Sequence, residues 1–231
     1  MILNNFQAPI AGLLLIDKDQ THSSFSYIPK LRRTFNIKKI GHAGTLDPLA
    51  TGLMIYLIGK EYTKKASSLL GFDKQYHVGM ELGKTSNTYD TEGDVISTNV
   101  AIPEEDTIRS VVNSFNGTTY QKPPAFSALK HKGKPLYKYA REGIIVEKPK
   151  REVTLSITDI QISNTTITFT VDCSSGTYIR SLVHDIGQVC ECGAVMISLR
   201  RTRIREYYLD HAYKIDTILN DTYPEKYLIN I

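Results

Sequence analysis

The sequence predicts a single α+β domain over residues 1–231, a mixed and mainly antiparallel β-sheet with flanking helices and one basic insertion. Three observations carry this. Apolar runs and alternating stretches of strand length recur along the chain, helical spacing of apolar residues occurs only between them, and Lys and Arg concentrate in one segment. No repeat, low-complexity tract or linker breaks the pattern.

Residues 12–17 (GLLLID) read as a short buried strand. Ser23 or Ser24 then offers an N-cap to a helix whose apolar positions Phe25, Ile28, Leu31 and Phe35 fall near helical spacing. A glycine-rich stretch, 41–52, precedes a second buried strand at 53–58, and 62–70 has helical character. Tyr76, Val78, Met80 and Leu82 alternate with mostly polar neighbours, the pattern of a half-buried strand. The polar run 84–94 predicts a loop, followed by a short strand at 95–98.

Pro103 with Glu104, Glu105 and Asp106 opens a helix in the manner the macrodipole favours. Its core face is Ile108, Val111, Val112 and Phe115, and Asn116-Gly117 ends it. Pro123, Pro124, Gly133 and Pro135 predict irregular backbone through the first half of the basic segment. Two cleanly alternating strands follow, 153–162 and 166–173, joined by a turn at Asn164 and Thr165. Ile179, Leu182, Val183 and Ile186 mark a helix, and 194–204 a last long strand.

The hydrophobic fraction of 41% and charged fraction of 23% are ordinary for a globular protein. No apolar run approaches the roughly 20 residues of a membrane span. Residues 1–12 lack the basic flank and continuous apolar stretch of a signal peptide. Three cysteines, Cys173, Cys190 and Cys192, argue against a disulfide framework and point to a reducing compartment, the cytoplasm. Cys190-Glu191-Cys192 with His184 nearby lacks the ligand spacing of a zinc site, so reduced structural cysteines and no metal are expected.

The net charge of +4 hides an asymmetry. Between residues 121 and 151, nine Lys or Arg stand against two Glu, a local balance of +7 that leaves −3 for the rest. Such a segment suits a polyanion, because phosphate contacts release counterions. A solvated charged loop is the alternative.

The stretch 41–52, GHAGTLDPLATG, holds three glycines, as a sharp turn or a closely approached backbone requires. One carboxylate, Asp47, stands at its centre before Pro48. Spacing leaves two readings open: a cap on a short helical turn with Pro48 at its first position, or a reactive carboxylate. The Lys-Ser or Lys-Thr of a phosphate-binding Walker loop is absent, which argues against an NTPase.

GHAGTLDPLATG resembles the signature of the bacterial tRNA pseudouridine-55 synthases, the TruB family, and the likeness continues in order over residues 12–205. GLLLIDK (12–18) resembles the family's opening strand, and Lys74-Gln75-Tyr76 the segment whose tyrosine lies against the target base. LGKTSNTYDTEGD (82–94) resembles the polar pocket loop and includes Asp90. Residues 124–143, with Phe126-Ser127-Ala128-Leu129-Lys130, Leu136-Tyr137 and Ala140-Arg141, resemble the RNA-clasping thumb, here about 121–151. Ser175-Gly176-Thr177-Tyr178-Ile179-Arg180 resembles the motif supplying an active-site tyrosine and arginine. Cys192-Gly193-Ala194 and Leu199-Arg200-Arg201 complete the likeness.

The resemblance implies the pseudouridine synthase fold and isomerisation of uridine-55 in the T-loop of tRNA. A stacked uridine must first be extruded into a pocket. Breaking the N1–C1′ bond, turning the base and rejoining it through C5 calls for no redox step, metal or cofactor. A carboxylate serves either route, covalent addition by Asp47 or proton removal from the ribose to give a glycal. A buried Asp47 needs a partner for its charge, and Arg180 is the candidate, since a guanidinium pairs a carboxylate through two parallel hydrogen bonds. By the same likeness Tyr76 stacks on the base and assists proton removal, Tyr178 and Leu199 line the pocket, and His42 contacts RNA. Asp90 either hydrogen-bonds the uracil edge or makes a loop turn. On residue pattern alone, Tyr76 is a core residue and Arg180 an exposed arginine on its helix. In the thumb, Lys130, Lys132, Lys134 and Arg141 are the candidate phosphate contacts.

Ala43 stands where the family usually carries threonine. The family's usual C-terminal PUA domain, which touches the acceptor stem, does not fit in the residues after Arg205, so none is expected. Recognition then rests on the thumb and on Lys30, Arg32, Arg33, Lys38 and Lys39. The expected partner is the tRNA T-arm, bound by a monomer, with no membrane. A non-catalytic tRNA-binding or folding chaperone using the same cleft is the alternative, against which Asp47, Tyr76 and Arg180 together argue.

Overall fold

Strands covered on both faces read as unbroken apolar runs, and the two at 12–17 and 53–58 are of that kind. In the computed structural model, which describes residues 10–230, they become β1 (Gly12–Lys18) and β3 (Thr51–Ile58). The leader expectation rests on residues 1–12, of which 1–9 lie outside the described residues. The chain divides into two compact units, one running up to Phe72 and resuming at Arg200, the other Asp73–Leu199.

The first unit also holds α1 (Tyr27–Thr34), β2 (Ile40–Ala43), α2 (Lys60–Thr63) and α3 (Ala66–Leu70). β1 and β3 pair antiparallel from Gly12↔Ile58 to Lys18↔Gly52, and β2 runs antiparallel along the end of β3. Leu13, Leu15, Leu53, Ile55 and Leu57 share one core with Ala43, Tyr62 and Leu69. The alternate residues Leu14, Ile16, Met54, Tyr56 and Ile58 are buried as well, with Tyr27 of α1 packed 6.2 Å from Tyr56 between ring centroids.

Two local expectations are corrected here. Ser24 does not cap α1, because its hydroxyl is taken by both backbone groups of Leu46. Ser23 does not cap it either: its hydroxyl accepts the Ser26 N–H in the turn before the helix, whose N-cap position is Ser26, and Phe25 is 63% exposed, outside the core face. The helical stretch at 62–70 breaks in two, since the Lys65 N–H turns back to the Tyr62 carbonyl.

The second unit contains β4 (Lys74–Leu82), β5 (Lys84–Ser86), β6 (Val95–Ser97), α4 (Glu105–Ser114) and β7 (Gly117–Gln121). The basic segment follows with β8 (Lys130–His131), β9 (Lys134–Pro135) and α5 (Leu136–Arg141). Then come β10 (Arg151–Ser163), β11 (Thr166–Cys173), α6 (Ile179–Val189) and the long β12 (Ala194–Ile204), which leaves this unit at Leu199. β7, β10, β11 and β4 form an antiparallel run in that order, continued by β12. Asn164 makes the expected β10–β11 turn at φ 53°. α4 and α6 pack on each other and against β10 and β4.

The loop expected at 84–94 starts as a strand, since β5 pairs with β6 from Lys84↔Ser97 to Ser86↔Val95. Val111 and Phe115 are only half-buried, so the core face of α4 narrows to Ile108 and Val112. Back in the first unit, β12 ends parallel to β3 through Arg200↔Thr51 and Arg201↔Gly52, and β13 (Tyr207–Tyr208) folds back on it. α7 (Ile215–Leu219) follows, and Ile229 then exchanges both backbone bonds with Leu13. The sheet is therefore mixed and mostly antiparallel with flanking helices, the expected class. No helix among the described residues is long and apolar enough to cross a membrane.

Gly52 adopts φ 99°, and a Cβ there would lie 2.3 Å from the Arg201 carbonyl oxygen. Gly52→Ala is expected to cost about 2–4 kcal/mol, read as a lower urea midpoint with an unchanged slope.

Candidate active site

Asp47 sits in the loop between β2 and β3, half-buried, with both flanks fastened by groups distant in sequence. Before it, Leu46 donates its N–H to the Ser24 hydroxyl at 2.9 Å and accepts that hydroxyl's proton at its carbonyl at 3.0 Å. Tyr56 donates to the Ser24 carbonyl at 2.7 Å, which fixes the serine in turn. After it, the Pro48 carbonyl accepts the Thr21 N–H at 3.0 Å and the ammonium of buried Lys18 at 3.3 Å. The Asp47 carbonyl closes a turn with the Ala50 N–H at 3.1 Å. No helix forms there, so the helical-cap reading gives way to a constrained loop that presents a carboxylate.

The loop's ends are joined by Arg201, which is 1% exposed. Its guanidinium donates to the Leu53 carbonyl at 2.7 Å and the Gly44 carbonyl at 3.0 Å. A buried charge needs such acceptors, and the bare Cα of Gly52 lets the Arg201 backbone approach. His42, on β2, lies edge-on to Tyr56 with ring centroids 6.1 Å apart. Burial, then the charge of Arg201, hold its imidazole below the usual pKa, and its Nδ1 has no hydrogen-bond partner among the described residues. Beside this loop Asp17 accepts two bonds from Arg200, at 3.1 and 3.0 Å, and one ion pair from Lys214 at 3.0 Å. Burial alone would raise its pKa, but those two cations hold it below the carboxylate range.

In the second unit Tyr76 is buried on β4, paired with Val171 of β11. Arg180, in the first turn of α6, is 6% exposed, so the exposed-arginine reading fails. Its guanidinium donates to the Thr88 carbonyl at 2.9 Å and the Phe126 carbonyl at 2.8 Å, and Nε lies 3.5 Å from the Asp90 carboxylate. Asp90, 2% exposed, also accepts the Thr88 hydroxyl at 2.5 Å and the Glu92 N–H at 3.0 Å. These contacts make a turn of the 88–92 loop. Tyr178 precedes α6, half-buried, and donates its N–H to the Gln121 side chain at 2.7 Å; Leu199 is buried on β12.

The basic segment is more ordered than its prolines and glycines suggest. β8 and β9 form a hairpin whose two turn residues, Lys132 (φ 47°) and Gly133 (φ 82°), are both left-handed, as tight hairpins demand. Lys132 is exposed in that turn and Lys130 is exposed at the open end of the hairpin. Lys134 instead reaches Glu142 at 2.6 and 2.7 Å and lies over the Tyr139 ring at 4.5 Å, while Arg141 covers Tyr137 at 5.5 Å. Among the described residues, no group of three or more His, Cys, Asp or Glu is placed to hold a metal ion. The three cysteines are buried free thiols.

Residues 32–179 match the family described as TruB family pseudouridylate synthase (N terminal domain), and 180–231 match the tRNA pseudouridylate synthase B C-terminal domain. The chain belongs to the TruB family. Relatives named tRNA pseudouridine synthase B include one from Chlamydia muridarum, 42% identical over 87% of this chain and 84% of its own length. Another, from Opitutus terrae, is 44% identical over 90% of this chain and 86% of its own. A crystal structure of a Cbf5-Nop10-Gar1 complex is similar at 26% identity and a TM-score of 0.69. That match covers 94% of this chain and 59% of the solved one. A structure of an H/ACA RNP bound to a substrate RNA containing 2′-deoxyuridine shares the fold, with a TM-score of 0.68 at 24% identity over 55% of its chain.

Arg201, Ser24, Lys18 and Tyr56 hold the Asp47 loop of this TruB family member, and sequence reading assigned none of them that part. A signal existed for Arg201: neighbours on a strand face opposite ways, so one of Arg200 and Arg201 had to turn inward.

Beside α6 lies a cavity of about 270 Å³ lined by residues including Tyr89, Lys122, Ile145, Ser181, His184 and Asp185. Burial pushes the Asp185 carboxyl up to about 6, against a weaker pull from Lys150. A raised folded-state pKa favours folding fully below the unfolded value of 3.8 and loses that contribution as pH rises through about 6. Asp185→Asn is therefore expected to be more stable than the wild type at neutral pH. The difference should shrink as pH falls through that window, which urea unfolding at stepped pH measures.

Proposed function

We propose that the chain isomerises uridine-55 in the T-loop of tRNA to pseudouridine, with Asp47 as nucleophile or base. The observation that carries this is the coincidence of TruB family membership with a loop that carries one carboxylate, Asp47, and is fastened on both sides of it. Relatives over 80% of whose length is matched are named tRNA pseudouridine synthase B, which supports tRNA as the substrate. Preorganisation suits the chemistry, because a carboxylate held by its backbone neighbours needs little rearrangement to meet the C6 or ribose position of an extruded base.

The other residues take roles that follow from their settings. Tyr76, Tyr178 and Leu199 offer aromatic and apolar surface to the base, and the Tyr76 hydroxyl assists proton removal from C5. Arg180 brings a permanent positive charge, buried and oriented by carbonyls, to stabilise negative charge during the reaction. His42 contacts the RNA and helps hold the flipped conformation. Residues 121–151 act as a thumb whose exposed Lys130, Lys132 and Arg141 meet phosphates, while Lys134 keeps the hairpin joined to α5 through Glu142. Three buried thiols suit a reducing compartment, and the cytoplasm is the proposed one.

Asp47→Asn separates catalysis from binding. The amide nearly matches the carboxylate in shape but is neither nucleophile nor base, so turnover should vanish while tRNA affinity stays within severalfold. Tritium release from C5-labelled tRNA and filter binding read the two quantities. Multiple turnover by the Asn variant would remove Asp47 from its role.

A further inference from the structure

Between Thr88 and Asp90, two residues that hold the Arg180 guanidinium, lies Tyr89 in a left-handed conformation at φ 66°. A bulky residue is strained there and persists only where its surroundings impose it. Here they do. The Tyr89 carbonyl accepts the Met196 N–H at 3.0 Å, and the Thr91 N–H donates to the Met196 carbonyl at 3.2 Å, so the backbone is tied to β12. The Tyr89 ring lies flat on the imidazole of His184, with centroids 3.9 Å apart and planes 13° from parallel. Burial keeps His184 below its usual pKa, so the stack buries no charge at neutral pH.

The geometry matters for what lies on either side. φ of Tyr89 sets the plane of the Thr88–Tyr89 peptide, and that peptide's carbonyl is the one that accepts the Arg180 bond at 2.9 Å. His184 stands four residues beyond Arg180 on α6, on the same helix face. The stack therefore joins the loop that holds the guanidinium to the helix that carries it. A rotation of Tyr89 into the ordinary β or α region would turn the Thr88 carbonyl away and shift the Asp90 carboxylate with it.

We propose that the Tyr89–His184 stack is a positioning pair that sets the Arg180 guanidinium for the isomerisation. This rests on the catalytic assignment of Arg180 made above. Neither ring is assigned to touch the base; both act through the arginine.

The test compares single-turnover rates of the full chain on saturating tRNA transcript. Tyr89→Gly keeps access to the left-handed backbone and removes the ring, while Tyr89→Phe keeps the ring. Tyr89→Gly and His184→Ala are each expected to slow the chemical step on the order of 10-fold or more, with tRNA affinity within about threefold. Tyr89→Phe should restore most of the rate. In an Arg180→Lys background, itself severely slowed, Tyr89→Gly should cost no more than about twofold further, because the guanidinium it would orient is gone. If Tyr89→Gly does not fold, His184→Ala carries the same comparison. Equal losses in both backgrounds, or a Phe variant no better than Gly, would overturn the proposal in favour of a general packing role. An Arg180→Lys enzyme as fast as wild type would instead overturn the assignment of Arg180 itself.

Discussion

The buried guanidinium of Arg201 is the constraint on which the Asp47 loop depends. An arginine keeps its charge wherever it is placed, so one that is 1% exposed must be met by oxygen. The acceptors are the carbonyls of Gly44 and Leu53, at the start and just past the end of the loop that carries Asp47. The loop is thus pinched shut by a group that arrives from β12, far along the chain. The parallel pairing of Arg201 with Gly52 places it, and the glycine's missing side chain gives it room. With its ends fixed, the loop needs only short-range fasteners, and Ser24 and Lys18 supply them on either side of Asp47.

The second unit solves a similar problem with the same residue type. Arg180 is buried, held by two carbonyls and a carboxylate, and those come from 88–90 and from the start of the basic segment. Buried arginines cost desolvation and contribute little net stability, yet they fix geometry, because losing any acceptor leaves an uncompensated charge. In both units a cation that cannot leave its acceptors is used to immobilise irregular backbone. Loops that carry reactive groups are otherwise the least rigid parts of a fold. A catalytic assignment for Asp47 and Arg180 accounts for why so many backbone groups converge on these loops.

How much of this was legible depended on whether the signal was local. The unbroken apolar runs of β1 and β3 and the alternation in β4, β10 and β11 reflect one strand's own burial, so pattern alone located them. β7 escaped because GTTYQ lies at an edge with only Gln121 buried, leaving no apolar face to read. α5 escaped because Pro135 and Gly133 mark a break, although proline also serves well just before a helix. The role proposed for Asp47 came from family likeness rather than physics, since one aspartate before a proline has several explanations. Ser24, Arg201 and the Tyr89–His184 stack depend on pairings across 22 to 157 residues, which no local window reports.

The reaction proposed for this chain converts one uridine of tRNA to pseudouridine. The most direct measurement is to incubate the purified full chain with unmodified tRNA transcript and map carbodiimide-reactive positions by primer extension, with the RNA mass recorded in parallel. A single new stop reporting position 55 is expected, with no change in mass. A folded, tRNA-binding preparation that leaves position 55 unreactive, or that modifies other uridines instead, would contradict it.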